Sequence, residues 1–228
     1  MNNNYKLCYV AYIDILGFTN KVIESVNNVQ TLNEIINLQN YLTDIKCKKG
    51  ISDKKTYFVS DSFFFVFPFE NNEISSVIWE IADMQAHIID MGHLIRGAVT
   101  IGKTVYNEKF LFGPSVNEVV ALEKKIEYPR VVLSNHLLEE YLINIKNTSF
   151  VFNDINDEIS DLLDYLSYDM EYKWITHINK QDLTVDREDI KNKLLIMIEK
   201  EKNNIDERVK KKYIWLEECI KKGEENYE

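Results

Sequence analysis

Breakers are scarce in this chain: seven glycines and three prolines in 228 residues. Elements should therefore be long and loops short, and no Pro-, Gly- or Ser-rich linker divides the sequence. No internal repeat is visible either. Cysteine is as thin, with Cys8, Cys47 and Cys219 scattered and odd in number. No CxxC pair or Cys/His cluster with zinc spacing occurs, which argues against a disulfide framework or a zinc site and for reduced thiols. His87, His93, His136 and His177 share no metal spacing. No apolar run approaches the length of a membrane span, and the opening MNNNYKLC has no signal-peptide pattern. A cytoplasmic protein with no membrane partner is expected. Positive charge is in deficit, 27 Lys and Arg against 37 Asp and Glu, for a net charge of −10. Such a field repels a phosphate backbone, so a nucleic-acid partner is not expected. A small anionic ligand remains open wherever a cation or a local Lys/Arg pocket neutralises it.

What is present suits a globular core: 45% of residues are hydrophobic and 12% aromatic. CYVAYI, residues 8–13, is apolar and β-prone, an interior strand. Val22, Ile23, Val26, Val29, Leu32, Ile36 and Ile45 recur at roughly helical spacing and predict one or two amphipathic helices ending at Gly50. KTYFVSDSFFFVFPF reads as a hairpin turning near Asp61. A helix follows with Ile74, Val77, Ile78, Ile81, Met84 and Ile88 on one face, then a second pair of strands in LIRGAVTIGKTVYNEKFLFG. Ser115 is placed to cap a helix running to Tyr128-Pro129; RVVLS is a strand and NHLLEEYLINI a helix. The order β-α-β-β-α-β-β-α-β-α is an α+β pattern, the ferredoxin-like or palm arrangement, over residues 1–146. Residues 147–228 form a largely helical C-terminal extension. Its segment 147–185 gives mixed signals, and Ile190, Leu194, Ile198, Ile205, Val209, Ile214 and Leu216 form a stripe interrupted at Asn203-Asn204. That stripe is expected to lie against the domain or a partner subunit.

The chemistry gathers at YIDILGFTN. Asp14 stands at the carboxyl end of the first strand, where an open sheet tends to place its ligands. Gly17 permits a tight or left-handed turn, and Thr19 or Asn20 is placed to cap the next helix. The alternative is an acid that merely ends a strand. Asp61 follows a second buried strand, which this topology makes a neighbour of the first. Two carboxylates converging there repel unless a cation lies between them, and Mg²⁺ or Mn²⁺ suits such oxygen donors. The Ile15 carbonyl is a further candidate ligand. The turn through Gly17, Phe18 and Thr19 would offer its amides to a triphosphate, a setting for two-metal chemistry.

These residues also carry a resemblance. DILGFT at Asp14 to Thr19 is similar to the first metal motif of class III nucleotide cyclases, Asp-Ile-x-Gly-Phe-Thr, and Asp61 falls where that family has its second metal carboxylate. RGAVTIG at Arg96 to Gly102 resembles the family's Arg-x-Gly-x-x-x-Gly strand, with Ala98 for the middle glycine. Gly113-Pro114-Ser115-Val116-Asn117 and Leu122-Glu123 match its Gly-x-x-Val-Asn and Leu-Glu helix. The resemblance implies a nucleoside triphosphate substrate, a 3′,5′-cyclic nucleotide product with release of pyrophosphate, and two ions held by Asp14 and Asp61. It also implies a homodimer with shared sites, in which Asn117 orients ribose or phosphate for the partner's carboxylates.

Two departures qualify it. Family helices carry an arginine four residues after that asparagine, and this chain has Ala121; Arg96, Lys124 and Arg130 are the candidate replacements. Where purine cyclases often place Lys or Glu to read the base, this chain has Tyr57. Tyr12 shares the strand face of Asp14, so two aromatic rings would narrow the pocket toward a pyrimidine. YIDILGF, SDS, RGAVTIG, EYPRVVLS and KKYIWLEE also resemble the stand-alone pyrimidine cyclases of bacterial anti-phage (Pycsar) systems. That likeness implies cyclic UMP or cyclic CMP read by a separate effector protein. A purine cyclase, another palm-family enzyme and a catalytically silent nucleotide sensor stay open. The absence of a Gly-Gly-Asp/Glu-Glu-Phe stretch counts against a diguanylate cyclase.

Overall fold

The computed structural model describes residues 4–47, 54–71, 74–139, 166–168, 173–175 and 183–225. Its centre is β1 (Lys6–Ile15), whose tyrosine, valine and isoleucine residues favour a strand and which is flanked on both sides. β1 pairs antiparallel with β3 (Ser62–Pro68) and with β4 (Ile95–Tyr106). β2 (Lys55–Val59) lines the far side of β3, also antiparallel. Between β1 and β2 run α1 (Phe18–Ser25) and α2 (Val29–Cys47), and α3 (Ile74–Asp90) joins β3 to β4. Strand order β2-β3-β1-β4 with helical crossovers is the ferredoxin-like arrangement expected above. β5 (Leu111–Phe112) pairs only with the end of β4, and α4 (Pro114–Glu123) leads to β6 (Val131–Leu133), parallel to β4. β7 (Leu166–Tyr168) and β8 (Lys173–Ile175) extend the sheet beyond β6. α5 (Arg187–Glu201) and α6 (Glu207–Glu225) end the described chain.

Side chains alternate along a strand, so β1 serves two faces. Tyr9, Ala11, Ile13 and Ile15 enter the main core with Phe63, Phe65 and Phe67 of β3, Leu38 and Leu42 of α2, and Val77, Ile78 and Ile81 of α3. Cys8 and Val10 enter a smaller cluster with Val66, Ala98, Val119, Ile126 and Val132, edged by the part-buried rings of Tyr12, Tyr57, Phe64 and Trp215. A third cluster seats α5 and α6 on α3: Ile190, Leu194, Ile198, Leu216 and Ile220 meet Ala86, Ile89 and Leu94. α5 starts where Asp186 caps it, accepting from the Glu188 and Asp189 amides at 2.8 and 3.3 Å.

Several local readings change. The first helical stretch is two helices, and its apparent stripe faces outward: Ile23, Val26 and Val29 are 66%, 78% and 72% exposed. The buried side of α2 is Ile35, Leu38 and Leu42, a register one helix face away, joined by Ile45, the member of the expected stripe that is buried. Thr19 and Asn20 lie inside α1, whose N-cap is Gly17. Ser115 does not cap α4. Gly113 holds that position, and the Ser115 hydroxyl turns inward to Thr104 Oγ1 at 2.6 Å, tying α4 to β4. α4 stops at Glu123, well before Pro129. Ile205 falls in the break between α5 and α6 and is 98% exposed, outside the buried stripe. β7 and β8, which the sequence left unplaced, join the sheet because β6 offers a free edge. The helix expected from Asn135 begins there, but past Glu139 it lies outside the described residues.

Candidate active site

Asp14 is the next-to-last residue of β1 and lies on the thinner face of the sheet. Its register partners are Ser62 of β3 and Arg96 of β4. The Ser62 hydroxyl donates to Oδ1 at 3.0 Å, and Arg96 Nη2 stands 3.5 Å from Oδ2. The β2–β3 hairpin turns through Ser60 and Asp61, with Ser60 at a left-handed φ of 60°. A non-glycine residue holds that conformation at a cost of roughly 1–3 kcal/mol, so the turn must be fixed by its surroundings. The Ile15 amide does this by donating to the Asp61 carbonyl at 3.1 Å. That bond continues the β1–β3 ladder one step past its last pair and draws Asp61 beside Asp14.

The electrostatics record the crowding. Burial raises the Asp14 carboxyl above the usual range and Asp61 adds to the rise, while Ser62, Arg96 and the more distant Lys212 pull it down. Arg96 is only loosely engaged with Asp14. Its tighter partner is Glu123 of α4 at 2.5 Å, and its Nη1 donates to the Ile126 carbonyl at 3.2 Å. Glu123 is itself buried, and burial with the Asp14 charge raises it while Arg96 lowers it. The site thus has an excess of carboxylate over cation at Asp14 and Asp61.

Among the described residues no three His, Cys, Asp or Glu side chains cluster as a ready metal cage. A divalent ion here would draw on Asp14, Asp61 and a backbone carbonyl such as that of Ile15, completed by oxygens of a ligand. Hard oxygen donors and uncompensated negative charge fit Mg²⁺ or Mn²⁺.

The other predicted residues surround this pair unequally. Gly17 adopts φ 75° with open space around it and starts α1, so the amides of Phe18 and Thr19 stand at a helix N-terminus. The Phe18 ring packs on the main core while Thr19 is exposed. Tyr12 lies against Phe64, ring centroids 4.6 Å apart. Tyr57 is on the same face, but its hydroxyl donates to the Asn107 carbonyl at 2.7 Å, and burial pushes its phenol up to about 12. The hydrogen bond expected to meet a base is therefore already made within the fold. Asn117 is exposed on α4, and its side chain makes no hydrogen bond among the described residues. Ala121 lines a cavity of about 280 Å³ with Glu118, Lys125 and His136. Of the suggested cations, Lys124 is exposed beyond α4 and Arg130 is buried beneath Tyr128 and Trp215.

Gly97 has a structural reason for its place beside Arg96. A Cβ there would fall 2.6 Å from the Tyr12 carbonyl oxygen, so only glycine lets β4 lie this close to β1. The sequence did not single out Ser62, Glu123 or Lys212 as site residues. Ser62 was legible within the SDS turn and Glu123 within the Leu-Glu pair; nothing along the chain links Lys212 to Asp14.

No family model and no curated protein matches the chain. Among solved structures it is similar to the adenylyl cyclase CyaB from P. aeruginosa, with 16% identity, TM-score 0.49, and coverage of 77% of this chain and 94% of that one. It is also similar to the monomeric guanylyl cyclase domain of the RhoGC fusion protein from Blastocladiella emersonii, with 16% identity, TM-score 0.47, and coverage of 75% and 95%. A third is the guanylate cyclase domain of RhGC from Catenaria anguillulae in complex with GTP, at 16% identity and TM-score 0.46, with coverage of 76% and 97%. Likeness at this level says nothing about substrate.

Proposed function

We propose that this chain is a nucleotide cyclase that converts UTP or CTP to the 3′,5′-cyclic monophosphate and pyrophosphate. The observation that carries the reading is the Ile15–Asp61 backbone bond, which draws Asp61 up to Asp14 at a strand end, near enough for its charge to raise the Asp14 carboxyl further. Such a pair suits a divalent ion and the triphosphate it accompanies. When bound, Mg²⁺ or Mn²⁺ would lower the pKa of the attacking ribose hydroxyl and neutralise phosphate charge. Asp14 and Asp61 would hold the ion; Ser62 and Arg96 contact the Asp14 carboxylate and orient it. The 3′-hydroxyl loses its proton to water as its oxygen attacks the α-phosphorus, the bond to the β-phosphate oxygen breaks, and pyrophosphate leaves. The amides at the start of α1 would be offered to the phosphates, where a helix N-terminus favours negative charge.

Asn117, exposed on α4, would serve a second copy's carboxylates, so the working unit is a homodimer with shared sites. Tyr12, against Phe64, would supply the wall that favours a small base. With a pyrimidine product the chain would act in anti-phage defence, its cyclic nucleotide read by a separate effector in the cytoplasm. Among the described residues no helix is long and apolar enough to cross a membrane.

One observation favours a second reading, a nucleotide sensor without turnover. Arg96 is tied to Glu123, and Ala121 offers no charge to a transferring phosphate. Incubation with Mn²⁺ and an equal mixture of the four NTPs, followed by mass spectrometry, separates these. Cyclic UMP or CMP that disappears with Asp14→Ala is the expected result. Cyclic AMP or GMP would keep the cyclase and overturn the pyrimidine pocket. Bound nucleotide with no cyclic product would favour the sensor.

A further inference from the structure

Lys212 lies on α6, inside the KKYIWLEE stretch at residues 211–218 and far along the chain from Asp14. Lys212, Trp215, Leu216 and Cys219 follow helical spacing and share the inward stripe of that helix. The stripe is anchored next to the site. Trp215 stacks on Tyr128 with ring centroids 5.1 Å apart and 11° between planes, and the Arg130 guanidinium lies 5.7 and 5.6 Å from the two ring centres. Tyr128 follows two residues after Ile126, whose carbonyl accepts from Arg96. One turn before Trp215, Lys212 is half-buried and within electrostatic reach of Arg96 and Asp14. Burial lowers its pKa and the charges of Arg96 and Arg208 lower it further, while Asp206 and the more weakly felt Asp14 raise it. Among the described residues its ammonium makes no hydrogen bond and no ion pair. A half-buried cation beside a second cation, with no carboxylate bonded to it among the described residues, is arranged for an anion brought from outside.

We propose that Lys212 binds the phosphates of the nucleoside triphosphate, giving this site from its last helix the positive charge that α4 lacks at Ala121. The inference rests on the reading of the site as a nucleotide site. The charge balance supports it: Glu123 engages Arg96, a divalent ion would answer Asp14 and Asp61, and Lys212 is left for the substrate. The alternatives are poorly placed. Arg130 is committed beneath Trp215, and Lys124 points to solvent at the end of α4. Lysine meets phosphate as a point charge and needs no fixed bidentate geometry, so a lysine presented by a helix suffices.

The test is calorimetric titration of wild type, Lys212→Ala and Lys212→Arg with Mg²⁺ and each 3′-deoxynucleoside triphosphate, which lacks the attacking hydroxyl. The matching monophosphates and thermal unfolding run in parallel. Lys212→Ala is expected to weaken triphosphate binding by about tenfold or more. Monophosphate binding and Tm should barely change, and Lys212→Arg should recover most of the loss. Unchanged triphosphate affinity in Lys212→Ala, with wild type binding normally, overturns the inference and leaves the site reading intact. Equal losses for triphosphate and monophosphate with a lowered Tm also overturn it, making Lys212 a packing residue of α6. A folded wild type that binds no triphosphate removes the site reading, and this inference with it.

Discussion

The two faces of the central sheet are built differently. One carries Tyr9, Ala11, Ile13 and Ile15 of β1 under α2 and α3, in a core of two dozen buried residues among those described. The other carries Cys8, Val10, Tyr12 and Asp14, with a buried cluster of seven described residues and a margin of half-exposed rings and charges. A strand that alternates between them uses every second residue for cohesion and leaves the rest available for chemistry. The difference teaches where to look: the thinner face ends in Asp14, Arg96 and Glu123, the carboxyl-rich corner that stability alone does not require.

The comparison is broken most directly at Asp14 and Asp61. Asp14→Asn or Asp61→Asn should lower product formation by about a thousandfold, while thermal unfolding stays close to wild type. A large fall in Tm with partial activity would place these carboxylates with the scaffold. On the covered face, Phe65→Ala should destabilise by about 3–5 kcal/mol, since its ring is 1% exposed. Denaturant unfolding measures this, and activity per folded molecule should persist. Phe64→Ala, one residue away on the other face, should cost less stability and raise KM for nucleotide.

His93 sharpens the comparison through pH. It is 2% exposed with Nδ1 3.3 Å from Lys21 Nζ, and burial first, then the Lys21 and Lys193 charges, hold its pKa at about 4 against 6.5 for the free side chain. Because the folded value is depressed, the stability tied to neutral His93 is full above pH 6.5 and is lost as pH falls from 6.5 toward 4. The loss is up to about 3 kcal/mol. Tm recorded from pH 8 to pH 4.5 should fall more steeply for wild type than for His93→Gln. Parallel slopes would remove His93 as the cause. The smallest expected effect is at Tyr12: Tyr12→Phe should leave Tm within a few degrees and change the preference among triphosphates by a few fold.

Much of this arrangement was legible in the sequence because its signals are local. A β-prone run ending in Asp14, a glycine turn, and a Ser-Asp-Ser hairpin specify strand ends, and the βαββαβ order makes those ends neighbours. Arg96 was legible beside Asp14 only through topology, as its register partner across β1 and β4. The buried face of α2 was not, because two apolar stripes run along that segment and only the tertiary partner decides which is covered. Ser115 looked like a cap, yet the helix gained more by turning its hydroxyl inward to Thr104. Tyr57 looked like a base contact, but the Asn107 carbonyl, fifty residues on, already accepts its hydroxyl. Lys212 stood within the KKYIWLEE stretch, but nothing local placed it near Asp14, since its position depends on Trp215 stacking on Tyr128.

The account stands on a divalent ion held between Asp14 and Asp61 on the thinner face. Mn²⁺ titration followed by electron paramagnetic resonance, with a 3′-deoxynucleoside triphosphate present, tests it directly. The free Mn²⁺ signal should fall as wild type is added and remain when the doubly substituted Asp14→Asn, Asp61→Asn protein is added instead. Equal Mn²⁺ binding by both proteins, or none by wild type, would contradict it.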